Sequence, residues 1–324
     1  MTIFIGYESA YEFWRQADDG WRVLLDSSRS QSAYRTTRVT AKRAAMRSEL
    51  EQVRTLGWFA EPIHIMVPTC DARRRPRGVV CHVCTSIYPA GSFVALEKGL
   101  AVASPALTFL QMARSLSVER LAVAGTELCS RYAISDEGFL SSREPLTSRS
   151  RLESFIERAK GAYGVDRARR ALRFVVDDSA SPMETVLALL LSMPRALGGY
   201  GLPKPVMNMR INAAEYERGM LGSAARPNFF KGDICWPKAN VCVEYDSDAF
   251  HTGSDRIAHD SWRRSELGLT GFSVITVTKG QLYDCDSLDR VARLLAKSIG
   301  VRVRKEDAGY KERQRRLREV LLYK

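Results

Sequence analysis

The chain has 324 residues, 45% of them hydrophobic and 27% charged, which is the composition of a folded globular protein of about two domains rather than a disordered one. No apolar run approaches the ~18–20 residues of a membrane span, and no basic segment precedes an apolar one at residues 1–6, so neither a membrane protein nor a secreted one is expected. The formal net charge of +12 favours polyanionic partners, because each neutralised phosphate releases condensed counterions.

Seven scattered cysteines, an odd number, do not form the pattern of a disulfide framework, and a reducing cytoplasm is the expected compartment. Residues 7–58 read as helical, with Tyr11, Trp14, Val23 and Leu24 as apolar anchors. Within them, residues 29–47 carry Arg29, Arg35, Arg38, Lys42, Arg43 and Arg47 without an acid, either a solvated face or a phosphate-contacting one. Residues 63–67 and 79–84 are short strand patterns. Ser104-Pro105 is an N-cap followed by proline at the first helical position, opening a helix to about residue 116. Residues 117–131 predict another helix. Residues 143–151 read as a polar connection, and residues 151–176 as an Arg-rich helical segment between two halves.

The second half is more regular. Ser181-Pro182-Met183-Glu184 opens a helix that ends before Gly198-Gly199. Strands are predicted over 206–211, 229–236 and 241–245, the last two joined by a turn at 237–240. A helix over 255–269, a β-branched strand over 272–278 and a helix over 286–299 follow. Residues 310–324 form a basic amphipathic helix that either docks on the body or holds a nucleic acid.

The chemistry-bearing segment runs from Lys231-Gly232-Asp233 to Val243-Glu244-Tyr245-Asp246. Strand alternation sends Glu244 and Asp246 to one side, together with Cys242, and Asp233 lies across the turn on the neighbouring strand. Carboxylates converging in this way repel one another unless a cation joins them. Mg²⁺ or Mn²⁺ suits such oxygen donors and would polarise a phosphoryl oxygen. The plainer alternative is a row of acids at the end of a sheet, paired with arginines.

Residues 180–300 resemble the Vsr-like endonuclease-related branch of the PD-(D/E)XK nuclease superfamily. The resemblance is carried in order by Ser181-Pro-Met-Glu184, Gly201-Leu-Pro-Lys-Pro-Val-Met-Asn208, Gly232-Asp233, Trp236-Pro237, Val243-Glu-Tyr-Asp246, Phe250-His251, Asp260-Ser-Trp-Arg263 and Gly271-Phe-Ser-Val-Ile-Thr-Val-Thr278. It implies an α/β fold with a restriction-endonuclease-like core of helix, three strands, helix and strand. It also implies a metal-dependent DNA endonuclease in which Asp233 and Glu244 hold Mg²⁺ or Mn²⁺, with Glu184 as an accessory carboxylate. Glu184 equally completes a capping box with Ser181. The family pattern ends in Glu-x-Lys, whereas this chain has Asp246 in the third position. His251, Lys231 or Lys238 would have to replace the missing cation. His251 would be the base or a phosphate contact, and Lys231, Lys238, Arg263 and Arg264 would face the nucleic acid. Asp260 and Arg263, one helical turn apart, form either a surface ion pair or a phosphate-orienting pair. The other reading is a catalytically inactive nuclease fold that binds DNA or regulates as an antitoxin does.

In the first half, Ser9-Ala-Tyr-Glu-Phe-Trp14, Ile63-His-Ile-Met-Val-Pro68 and Gly99-Leu-Ala-Val-Ala-Ser-Pro105 are similar to AbiEi-type abortive-infection antitoxins, which implies a protein partner and a setting in phage defence or toxin–antitoxin regulation. Cys81-His82-Val83-Cys84 has zinc-like spacing but no second pair, and reads better as strand. The expected organisation is an α/β domain over 1–145, a helical connector over 146–179, the nuclease-like domain over 180–300 and a basic helix over 301–324.

Overall fold

The computed structural model describes residues 2–20, 36–40, 47–74, 76–97, 99–212, 229–246, 271–302 and 307–323. The fold is mixed α/β, and the chain separates into two compact units, Met1–Val175 and Val176–Lys324.

The first unit is built on a five-stranded sheet of β1 (Ile3–Ile5), β2 (Ile63–Val67), β3 (Val79–Val83), β4 (Phe93–Glu97) and β5 (Leu100–Ala103), in the order β3-β2-β1-β5-β4. Strand β1 is central, antiparallel to β2 and parallel to β5, while β2 and β3 run parallel. A central strand covered on both faces needs no alternation, and all three residues of Ile3–Ile5 are buried. Helix α1 (Tyr7–Gln16) sits Trp14 wholly in the core, where its indole N–H donates to the Ala103 carbonyl at 2.7 Å. Helix α2 (Arg47–Thr55) also buries an apolar stripe here. The continuous helix expected over 7–58 is not formed, because residues 36–40 are non-helical. Val23, Leu24, Arg29, Arg35, Lys42 and Arg43 lie outside the described residues.

Helix α3 (Pro105–Met112) begins as expected, with Ser104 Oγ accepting from Leu107 N, and α4 (Val118–Leu128) is capped the same way by Ser117. A hairpin of β6 (Tyr132–Ile134) and β7 (Leu140–Ser142) follows. Residues 143–148 form an irregular connection, as expected, but it is not wholly solvent-facing: Arg143 is buried and donates to the carbonyls of Trp14, Ala17 and Glu127 at 2.6, 2.8 and 2.8 Å. Burial also holds its guanidinium pKa down at about 10. Contrary to expectation, α5 (Arg149–Arg158) and α6 (Val165–Leu172) do not form a separate connector. They bury Leu152, Phe155, Ile156, Val165, Ala168, Ala171 and Leu172 in the core of the first unit and leave Arg151, Arg158, Arg169 and Arg170 exposed, while Arg149 and Arg167 are half-buried and donate to main-chain carbonyls.

The second unit opens with α7 (Pro182–Ser192), followed by β8 (Val206–Asn212), β9 (Phe229–Trp236), β10 (Val241–Asp246) and β11 (Ser273–Thr278). The sheet order is β11-β10-β9-β8; β8, β9 and β10 are antiparallel neighbours, and β11 runs parallel to β10. The helix expected over 255–269, which would make the crossover to β11, lies outside the described residues. Helices α8 (Lys279–Tyr283), α9 (Cys285–Ile299) and α10 (Tyr310–Leu322) complete the unit. Helix α10 docks: Tyr310, Leu317 and Leu321 are buried, and the Arg313 carbonyl comes so near Gly198 that a Cβ there would meet it at 2.2 Å. Among the described residues no helix is long and apolar enough to cross a membrane.

Candidate functional site

Strands β9 and β10 are joined by Pro237–Ala239 and by Asn240, which takes the left-handed conformation (φ 51°) a tight reversal needs. Their register pairs Val241 with Trp236, Cys242 with Cys235 and Val243 with Ile234. The next pair would be Glu244 with Asp233, and there the ladder stops. In place of a main-chain bond, Asp233 Oδ2 accepts from the N–H of Tyr245 at 3.0 Å, which sets its carboxylate against the peptide joining Glu244 to Tyr245.

The same position is irregular on the other side. Register between β8 and β9 passes from Met207–Ile234 to Met209–Gly232 and leaves out Asn208, which has φ 47°. This left-handed residue reverses the strand's facing. Met207 and Ile234 are buried, while Met209 and Ile211 pack with Cys235 and Cys242. Those two cysteines, directly opposed across the hairpin, form a disulfide, a pair that their sequence pattern did not single out; Cys70, Cys81, Cys84, Cys129 and Cys285 are free. Gly232 is required beside it, since a Cβ would stand 2.5 Å from Cys235 Sγ and 2.8 Å from Cys242 Sγ.

Asn208 turns its side chain towards α7. Its Nδ2 donates to Glu184 Oε2 at 2.8 Å and to the Asp178 carbonyl at 2.9 Å. Glu184 also accepts from Ser181 Oγ at 2.9 Å and from Ala180 N at 3.0 Å, and its own N–H bonds back to Ser181 Oγ. Ser181 thus caps the helix, while Glu184 reaches back to Ala180, one residue before the N-cap, and is linked through Asn208 to the strand position opposite Asp233. Among the described residues, Glu184, Asp233, Glu244 and Asp246 do not bring three ligand atoms to one point. The donor set at Asp233 and Glu244 is nevertheless hard carboxylate oxygen, and Mg²⁺ commonly takes only one or two carboxylates beside water and substrate oxygens. Asp246 ends β10 opposite Thr278 of β11. Lys231 and Lys238 are exposed. His251, Asp260, Arg263 and Arg264 lie outside the described residues.

A constellation that sequence spacing did not bring together stands in the first unit. Glu8 in the first turn of α1, His64 of β2 and His82 of β3 converge. His64 Nδ1 is 2.7 Å from Glu8 Oε2 and 3.0 Å from His82 Nε2. The His64 contact holds the Glu8 carboxyl down at about 2. Burial, reinforced by His64, pushes His82 down to about 4, so its imidazole is neutral at ordinary pH. Tyr7 stacks on His82 with ring centroids 3.7 Å apart, and Arg114 Nη1 donates to the Tyr7 hydroxyl at 2.9 Å. The signal available in the sequence was two of only four histidines, each on a short strand.

Two curated relatives match this chain: Uncharacterized protein MT2308 of Mycobacterium tuberculosis (strain CDC 1551 / Oshkosh) and Uncharacterized protein Rv2248 of Mycobacterium tuberculosis (strain ATCC 25618 / H37Rv). Each is 24% identical over 216 residues, and the match spans 66% of this chain and 66% of the relative's length. No family model matches the chain, and no solved structure matches it.

Proposed function

We propose that the second unit is a metal-dependent endonuclease of the PD-(D/E)XK type, Vsr-like, hydrolysing DNA phosphodiesters in the cytoplasm. The observation that carries this reading is the arrangement around Asp233. A helix precedes three antiparallel strands and a fourth strand parallel to the third, and the Asp233 carboxylate accepts from the Tyr245 N–H, next in the chain to Glu244. In this reading Asp233 and Glu244 bind Mg²⁺ or Mn²⁺, which supplies charge at the phosphoryl oxygen and acidifies the attacking water. Glu184 positions β8 through Asn208. Lys231 and Lys238, exposed on and just beyond β9, draw the phosphate backbone in, as the net charge of +12 would at longer range. His251, Arg263 and Arg264 are the further candidates for base and phosphate contacts. The first unit would then carry a protein partner in the manner of an AbiEi-type antitoxin.

One feature favours a second reading, a nuclease fold that binds DNA without cutting it. Asp246 stands where a lysine would assist the attacking water, and loss of one such charge-stabilising group costs about 3–4 kcal/mol of barrier. Incubating the full chain with supercoiled and linear DNA and Mn²⁺, beside Asp233→Ala and Glu244→Ala, separates the two. Cutting that both variants abolish supports the enzyme. DNA retention with no cutting above the variants overturns it in favour of the binding protein.

A further inference from the structure

We infer that Glu8, His64 and His82 form a second, chemically distinct metal site, one that takes a borderline transition ion of the zinc class in the first unit. Two imidazole nitrogens and one carboxylate oxygen are the donor set of three-ligand zinc sites, which leave a fourth position to water or substrate. This inference does not depend on the nuclease reading, which concerns hard oxygen donors in the other unit.

Geometry carries it. Strands β2 and β3 run parallel with His64 opposite Val80 and Met66 opposite His82, so the two histidines are diagonal neighbours on one face of the sheet. Glu8 approaches from α1 directly after Tyr7, whose φ of 54° is rare for a bulky side chain and puts its ring over His82. A left-handed aromatic residue costs free energy, and such strain persists where the surroundings over-determine it, often at ligand sites. Here Arg114 and Cys84 fix the Tyr7 hydroxyl, Gln111 takes its N–H, and the ring fixes His82.

Proton counting points the same way. His64 Nδ1 faces a carboxylate oxygen at 2.7 Å and a second imidazole nitrogen at 3.0 Å. If it carries the proton it serves Glu8 and needs His82 Nε2 to be a bare acceptor. If it is bare it serves a protonated His82 Nε2 and turns a lone pair on Glu8. One cation satisfies all three atoms together. Donors around a tetrahedral zinc ion stand about 3.3 Å apart, so the contacts His64 makes at 2.7 and 3.0 Å need lengthen by only roughly 0.3–0.6 Å, and all three donor atoms lie within 4.8 Å of one another. Outside them, Ser115 Oγ donates to the other oxygen, Glu8 Oε1, at 3.3 Å, the kind of outer contact that orients a carboxylate ligand. The Glu8 side chain is 39% exposed, so the cluster lies near the surface, while the ligating Oε2 is itself covered.

The cysteines beside the cluster are not part of this donor set. Cys81 and His82 are adjacent in β3 and project to opposite faces, so the Cys81-x-x-Cys84 pair does not close on one ion. Cobalt(II) reports that difference directly. The full chain, stripped with chelator and exchanged into excess Mg²⁺ to fill hard-oxygen sites, is titrated with Co²⁺ and then Zn²⁺. Wild type should bind one equivalent in this site, with the visible absorption of four-coordinate cobalt, no thiolate-to-cobalt charge transfer, and displacement by zinc. His64→Asn and His82→Asn should each abolish that spectrum. Glu8→Gln, at a half-exposed helical position that leaves the fold intact, should weaken binding by at least roughly tenfold, since loss of an outer-shell contact alone costs about 10–100-fold. Asp233→Asn should leave the spectrum unchanged. The inference is overturned if wild type binds no more Co²⁺ than Glu8→Gln, if thiolate charge transfer dominates, or if Asp233→Asn removes the signal.

Discussion

Asn208 Nδ2 lies 2.8 Å from Glu184 Oε2, and this one amide ties the first helix of the second unit to the strand beside Asp233. The Glu184 carboxylate thereby joins the start of that helix, through Ser181 and Ala180, to β8. Glu184→Ala removes the acceptor of Ser181 Oγ and Ala180 N and one of the two acceptors of the Asn208 amide, at a cost of about 2–3 kcal/mol in urea unfolding. Glu184→Gln keeps an acceptor for Asn208 and should lose about 1 kcal/mol. Its Mn²⁺ affinity by calorimetry should stay within about threefold of wild type, well under 1 kcal/mol. Should Glu184→Gln unfold like wild type yet fail to bind Mn²⁺, the carboxylate is a ligand and the positioning role is wrong.

Gly232 has no room for a side chain, because the disulfide sulfurs of Cys235 and Cys242 stand where its Cβ would be. Gly232→Ala should therefore cost about 1–3 kcal/mol through overpacking. Gly280→Ala in α8 is the matched control: its nearest neighbour is Thr278 Oγ1 at 3.9 Å, and its φ is unexceptional. That change should be neutral or stabilising by about 0.4–1 kcal/mol. Equal denaturation midpoints for the two variants would show that the sulfurs yield and that glycine is not needed there.

The parts of this architecture that were legible from sequence are those set by local chemistry. Ser104-Pro105 and Ser181-Pro182 start helices because a hydroxyl caps the free N–H groups and proline lacks one. Strand β11 announces itself by its β-branched run from Val274 to Thr278, and the hairpin of β9 and β10 by the turn at Asn240. Four things were hidden for physical reasons. Ile3–Ile5 is a central strand of only three residues, too short for any period to register. The arginines of α5 and α6 suggested a solvated connector, although the stripe from Leu152 to Leu172 is apolar enough to join the first core. The opposition of Asp233 and Glu244 follows from hairpin register, but the reversal at Asn208 depends on an amide reaching Glu184 and Asp178, which no local pattern encodes. Glu8, His64 and His82 come from three elements joined by no hairpin, and only the sheet order β3-β2-β1 gathers them.

The docking of α10 rests on Asp289, and it yields the pH prediction. Asp289 Oδ1 accepts from Tyr200 Oη and Gln314 Nε2, both at 2.7 Å, and Oδ2 accepts from Lys311 Nζ at 2.5 Å. Burial pushes this carboxyl up, but the bonds from Lys311, Tyr200 and Gln314 outweigh it and hold the group below its usual 3.8. A depressed carboxyl stabilises the fold above its unfolded value and gives that stability up as pH falls through the folded one. The contribution should thus be intact near neutrality and shrink once the pH drops below about 3.8. At neutral pH Asp289→Ala should cost on the order of 3 kcal/mol, because three donors, one of them cationic, lose their acceptor. Asp289→Asn keeps an acceptor for Tyr200 and Gln314 and should cost less. On acidification the gap between wild type and Asp289→Asn should close, since protonation makes the native side chain equally neutral. A gap that stays constant from neutral pH to well below the aspartate range would mean that Asp289 is held for packing and that its charge does not secure the helix.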